Sequence, residues 1–132
     1  MGMGINGFGQ FNKFQDMVNS TYYFVGETKR EELLYLALAM CAEAGEAGDE
    51  IKKMMRDDDG ILTEERKEKI KTEMGDTLFY MAILASKLGF DFYDAANAEI
   101  SKLTDMIAKW EKENDTTFNI ETFKQIKANK TN

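Results

Sequence analysis

Residues 28–56 read TKREELLYLALAMCAEAGEAGDEIKKMMR, and the fold follows from how this stretch is read. Thr28 and Glu31 have the spacing of a capping box, in which the threonine oxygen accepts from the third helical amide and the glutamate reaches back to the cap. From there Leu33, Leu36, Ala37, Met40, Ala44, Ala47, Ile51 and Met54 recur at helical spacing and predict one long helix to about Arg56. Asp57-Asp58-Asp59-Gly60 ends it. The acids of that loop do not alternate as in an EF-hand, and Arg66 stands where the closing glutamate belongs, so the loop reads as a solvated turn.

Upstream, Phe11, Phe14, Met17, Val18 and Tyr22 fall on one helical face within residues 10–24. Residues 1–9 carry four glycines and read as a flexible lead-in. Gly2, Gly4 and Gly7 spell G-x-G-x-x-G, but a dinucleotide fingerprint needs a strand before it and none fits here. Downstream, Thr63 with Glu64 and Glu65 starts a helix whose periodic residues are Ile70, Met74, Leu78, Met81 and Leu84 or Ala85, with Gly89 as its C-cap. Asp91 is placed to cap a further helix through Ala95, Ile100, Leu103 and Met106 to about Trp110. Residues 115–132 form a tail with room for one short helix. No strand pattern, repeat or linker interrupts the chain. The expected fold is all-α: a single domain over residues 1–132 built as a bundle of about four helices.

The composition narrows the chemistry. In 132 residues there are 17 basic and 24 acidic side chains, a net charge of −7, which disfavours nucleic acid or an anionic membrane as partner. No apolar run approaches the ~20 residues of a membrane span, and the start lacks a signal-peptide pattern. With one cysteine, Cys41, a disulfide framework is absent and a reducing, cytoplasmic setting is expected. The absence of histidine removes imidazole bases and most zinc or non-haem iron sites. A ferritin-like di-iron centre, which needs Glu-x-x-His, is thereby disfavoured. A chain this short buries a modest fraction of its surface, so self-association is a natural supplement.

Two acidic pairs sit where helices should be apolar. Glu43 and Glu46 lie in the first long helix; Glu73 and Asp76 lie in the next, within Thr72-Glu73-Met74-Gly75-Asp76-Thr77. At ~100° per residue, each pair shares a face with apolar neighbours and points toward the packing side. Converging carboxylates are costly to bury unless they share protons or hold cations. An all-oxygen donor set without histidine favours hard ions, Mg²⁺ or Mn²⁺ in its place. Gly45, Gly48 and Gly75 are expensive mid-helix, about 1 kcal/mol each against alanine, and suggest close helix approach or space beside the acids. An isolated E-x-x-E pair is ordinarily a solvated face; two of them on consecutive apolar helices are much more specific.

The arrangement E-x-x-E, spacer, E-x-x-D resembles the MazG-like, all-α nucleoside triphosphate pyrophosphohydrolases, and Leu36-Ala37-Leu38, Ile51-Lys52-Lys53, Glu73 through Ala82, and Lys102-Leu103 extend the likeness to small phage-type members over residues 11–107. The resemblance implies a helical fold completed as a homodimer or homotetramer, with Mg²⁺ held by Glu43, Glu46, Glu73 and Asp76. It implies cleavage of (d)NTPs between the α- and β-phosphates to the monophosphate and pyrophosphate. A carboxylate free of metal would take the proton of the attacking water, with Glu43 and Glu50 as candidates. Lys102 matches the family's phosphate-contacting lysine, and Lys109 is placed to serve in a similar way. Glu99 and Met106 occupy positions where small members carry asparagine and arginine, so phosphate number and substrate preference stay open.

Asn12 and Gln15 are candidates to read a base edge, with Phe11, Phe14 or Trp110 stacking on it. Two further readings remain. One is a MazZ-type enzyme taking (d)GTP or (d)GDP to the monophosphate for modified phage DNA. The other is a non-catalytic helical interaction module with solvated acids. A phosphoribosyl-ATP pyrophosphohydrolase is a relative with similar acids.

Overall fold

A computed structural model describes residues 5–130, with side chains from residue 9 onward. Five helices follow in order, α1 (Ile5–Thr21), α2 (Lys29–Asp57), α3 (Glu64–Leu88), α4 (Phe92–Asn114) and α5 (Ile120–Lys130), and no strand occurs among the described residues. The all-α expectation holds, and the short fifth helix occupies the tail that had room for one. No helix is long and apolar enough to cross a membrane among the described residues.

The start of α1 differs from expectation. Helix covers residues 5–9, which the glycines had suggested would be a flexible lead-in; residues 1–4 lie outside the described part. Once Phe11, Phe14 and Val18 are packed, each further helical residue adds a hydrogen bond at little cost, and that outweighs the poor propensity of Gly7 and Gly9.

Two compact units make up the chain, Met1–Asp94 and Ala95–Asn132. In the first, α2 and α3 run antiparallel along each other and α1 packs on α3. Caps set the ends. Thr28 Oγ1 accepts from the Glu31 amide at 3.1 Å while Glu31 Oε2 accepts from the Thr28 amide at 3.0 Å. Thr63 caps α3 through its side chain alone, accepting from the Arg66 amide at 3.1 Å, and Gly89 at φ 86° closes it in the left-handed region that glycine favours. Lys87 near the end of α3 meets Glu32 near the start of α2 at 3.1 Å, which fixes their antiparallel alignment.

The core is Val18, Leu36, Ala82, Ile83, Ala85 and Phe92, ringed by Phe11, Phe14, Tyr22, Phe79, Tyr80 and Leu84. Leu36 and Ile83 are wholly buried, a gain of about 1.5–3 kcal/mol each. The expected inner stripe of α3 is buried only at its end: Ala85 lies in the core and Leu84 packs against it, but Met74, Leu78 and Met81 are exposed, as are Leu34, Leu38 and Ile51 on α2.

In the second unit, the latter part of α4 and α5 clasp an aromatic cluster. Trp110 meets Phe118 edge-on at 5.3 Å and Phe123 at 6.0 Å between ring centres. The Phe118 amide donates to Glu111 Oε1 at 2.7 Å, and Asn119 Oδ1 accepts from the Glu121 amide at 2.9 Å to start α5.

Candidate metal centre

Carboxylate oxygens of Glu43 on α2 and of Glu73 and Asp76 on α3 all lie within 4.8 Å of one another. Each motif rides on a regular helix, so Glu73 and Asp76 stand one turn apart and face the same point as Glu43 across the antiparallel pair. Glu43 and Glu73 are half-buried; Asp76 and Glu46 are exposed. Glu46 contributes no oxygen to the three-residue cluster, but its carboxylate acts on Glu73 by charge and hydrogen bonding.

The electrostatics are those of an uncompensated site. Burial, and then the charges of Glu46, Glu43 and Asp76, raise the Glu73 carboxyl above the ordinary glutamate range. Among the described residues, every ion pair of α2 and α3 involves other carboxylates: Asp49, Glu50, Asp57, Asp58, Glu64, Glu65, Glu68 and, with Lys87, Glu32. Three oxygen donors converging without a counter-charge suit a hard divalent cation. The donor set therefore fits Mg²⁺ or Mn²⁺. The glycines need another explanation than close packing within the chain: a Cβ at Gly45, Gly48 or Gly75 would meet nothing within 4 Å.

An aromatic pocket of about 490 Å³ adjoins the acids, lined by Tyr22, Phe24, Tyr35, Phe79 and Tyr80 among others. Tyr80 stands one turn beyond Asp76, and Tyr35 two turns before Glu43. A hydrogen bond with Tyr35, followed by burial and by the charges of Tyr35, Glu43 and Asp76, raises the Tyr80 hydroxyl above its usual value. Tyr80 thus belongs to the pocket and to the field of the acids at once. These aromatics were not among the sequence candidates, yet their helical register relative to the acids was a usable signal.

Other candidates have different surroundings. Glu50 is buried and committed: Oε1 accepts from Lys53 Nζ at 2.7 Å and Oε2 from Arg66 Nη1 at 2.6 Å. Those two bonds hold its carboxyl below the ordinary range, which removes it as a proton acceptor for water. Gln15 is likewise structural. It is 6% exposed, and its Nε2 donates to Ser86 Oγ at 2.8 Å and to the Phe90 carbonyl at 3.2 Å. Its Oε1 accepts from the Phe92 amide at 2.8 Å, so no atom is left to read a base.

That last bond, together with Asp94 Oδ2 accepting from the Asp91 amide at 3.3 Å, starts α4 in place of the expected Asp91 side-chain cap. Asn12 Oδ1 is buried without a partner, and Asn12 lines a separate polar hollow with Gln15, Asn19 and Asp91. Phe11 and Phe14 pack on Phe92, and Trp110 is held in its own cluster. Lys102 and Lys109 are exposed and pair along α4 with Glu99 at 2.6 Å and Glu113 at 3.9 Å.

Antiparallel helices that bring E-x-x-E and E-x-x-D together define an all-α protein with an acidic, cation-seeking centre. The model of the MazG nucleotide pyrophosphohydrolase domain matches residues 31–107, and the chain belongs to that family. It is also similar to the Gene 37 protein of Mycobacterium phage L5, 34% identical over 73 residues, in line with the small phage-type resemblance. That stretch covers 55% of this chain and 64% of the phage protein, just under two thirds of the relative's length. No solved structure matches.

Proposed function

We propose that the chain is a divalent-metal-dependent pyrophosphohydrolase that converts (d)NTP and water to (d)NMP and pyrophosphate. The observation that carries this reading is the convergence of Glu43, Glu73 and Asp76 with no counter-charge, and with Glu46 at their edge. On this reading all four residues hold Mg²⁺, or Mn²⁺ in its place. The bound ion supplies positive field for the triphosphate and acidifies a water.

The chain's own residues do the rest. Glu43, if an oxygen stays free of metal, takes the proton of the attacking water as the α–β phosphoanhydride bond breaks. The aromatic pocket beside the acids takes the base, a role that passes from Asn12 and Gln15 to Phe24, Tyr35 and Tyr80. Lys102 and Lys109, exposed and held only in local helical pairs, are assigned to phosphate contacts on the strength of the family resemblance. The protein would work in a reducing cytoplasm, the host's if phage-encoded.

The exposed Leu34, Leu38, Met74, Leu78 and Met81 supply an apolar surface that a second copy would cover, giving a homodimer or homotetramer. Light scattering after size exclusion tests that assembly.

Incubating each (d)NTP and (d)NDP with Mg²⁺ or Mn²⁺ and separating nucleotides, phosphate and pyrophosphate tests the activity. Monophosphate and pyrophosphate are expected. Preference for (d)GTP and (d)GDP would select the MazZ-type reading. No hydrolysis, with no saturable Mn²⁺ binding, would leave a helical interaction module.

A further inference from the structure

Between α1 and α2 the side chains of residues 22–25 alternate in exposure. Tyr23 and Val25 are 81% and 83% exposed, Tyr22 and Phe24 are half-buried, and all four border the aromatic pocket. Phe24 lies against Tyr35 at 5.7 Å between ring centres, and Tyr35 meets Tyr80 edge-on at 6.3 Å. A row of rings thus leads from this strap to the residue that senses Glu43 and Asp76.

Phe24 keeps its place because Gly26 has no side chain. A Cβ built at Gly26 would fall inside the van der Waals envelope of the Phe24 ring, against its Cζ and Cε1 atoms. Those atoms are the far end of a side chain on an exposed strap, so a larger residue at position 26 would displace the ring and leave the helices intact.

We infer that Gly26 is a positioning residue, and that by letting the Phe24 ring fold back over it the strap supplies one wall of the base pocket. Phe24 contacts the nucleobase; Gly26 acts only through Phe24. This rests on the reading of the pocket given under Proposed function. It assigns the strap's wall to nucleotides in general, because a stack on an aromatic face accepts every base.

The test is a double-mutant cycle on the full chain. The probe is whichever of the four α,β-methylene dNTP analogues binds wild type most tightly, measured by calorimetry in Mn²⁺. Phe24→Ala and Gly26→Ala should each weaken binding roughly tenfold, the change expected when one base–aromatic stack is lost. The double variant should be no weaker than Phe24→Ala alone, and Phe24→Trp should keep wild-type affinity.

Binding of Mn²⁺ alone and the melting temperature should not move in any of them. With cleavable substrate, KM should rise while kcat holds. Unchanged affinity in Gly26→Ala, or additive losses in the double variant, overturns the inference. A wild type that binds the analogue but hydrolyses no (d)NTP sinks the proposed activity and leaves the wall standing. A wild type that binds no analogue removes both.

Discussion

Two groups of carboxylates share the α2–α3 pair and meet opposite fates. Near the turn, Asp49, Glu50 and Asp58 are matched by Lys52, Lys53 and Arg66, and Arg66 bridges Glu50 at 2.6 Å and Asp58 at 3.0 Å across the helix junction. About 10 Å along α2, at 1.5 Å per residue, Glu43 joins Glu73 and Asp76 with no cation to answer them. The first group is neutralised by the chain itself and pins two helices together. The second is left in want of charge from outside, and burial, then the charges of Glu46, Glu43 and Asp76, raise the Glu73 carboxyl. Residue type is the same in both; what separates a structural carboxylate from a ligand is whether the fold provides its counter-ion.

The largest effect should come from exchanging one group for the other as a target. Glu46→Gln or Asp76→Asn is expected to lower (d)NTP turnover by at least about 100-fold, the upper range for groups that merely support a metal ligand. The circular dichroism should stay helical. Glu50→Gln should keep turnover within about threefold of wild type, since its carboxylate faces Arg66 and Lys53 and not the cluster. Full activity in both Glu46→Gln and Asp76→Asn would end the enzymatic reading. A large loss in Glu50→Gln without unfolding would erase the distinction between the groups.

Arg66 offers the next largest change, read as stability. Its side chain is 13% exposed and spans Glu50 and Asp58, so Arg66→Met leaves the buried Glu50 with Lys53 alone and takes away the partner of Asp58. The melting temperature should fall by several degrees. Glu50→Leu combined with Arg66→Met should recover part of that loss, because an apolar pair of similar volume leaves no under-paired charge at the buried position 50, while Asp58 still lacks its partner. Differential scanning calorimetry checks both. A double variant no better than the single would mean the bridge itself, and not the stranded charge, sets the cost.

Much of this contrast was legible in the residue order. The capping box at Thr28, the N-cap at Thr63, the closing Gly89 and the acidic spacing are local signals, and helical geometry carries them directly into place. Contacts between distant positions were not legible. Glu50 lost its candidacy to Arg66, sixteen residues on, and Gln15 to Ser86, Phe90 and Phe92 across two helices. Both are polar residues whose role depends on which groups the bundle brings to them. Periodicity also says that a face is apolar without saying what covers it: Met74, Leu78 and Met81 keep their spacing yet lie exposed. Tyr35 and Tyr80 were within reach of the same helical register that aligned the acids, had it been extended one or two turns beyond them.

A smaller effect has opposite sign in the two groups. With divalent ions chelated at pH 7, Glu73→Gln should raise the melting temperature by a few degrees, because it removes one member of a like-charged set. Glu50→Gln should lower it, because it removes a partner of Lys53 and Arg66. Saturating Mn²⁺ should reverse the first sign, since the wild type then gains binding free energy that the variant has lost. If Glu73→Gln destabilises the metal-free protein, the carboxylates are not repelling one another and the cluster loses its rationale.

The smallest effect is the pH at which these differences fade. The folded-state carboxyl of Glu73 is raised above its ordinary value near 4.5, so its contribution to stability is fully present below that value and is lost as pH rises through the raised one. Metal-free wild type should therefore gain on Glu73→Gln as the solution is acidified, and their melting temperatures should converge toward pH 4. Glu50 is lowered from the same ordinary value, so its contribution is present above about pH 4.5 and is lost as pH falls through the lowered one. Asp49, lowered to about 2 by Lys52 and Lys53, follows Glu50, although its 35% exposure weakens the effect. The gap between wild type and Glu50→Gln should consequently persist at pH 4, where the Glu73→Gln gap has closed. Melting curves of the three proteins in chelator between pH 3 and 8 decide it. Gaps that close together would place both carboxylates in one electrical environment, which the Arg66 bridge at one site and the bare cluster at the other do not allow.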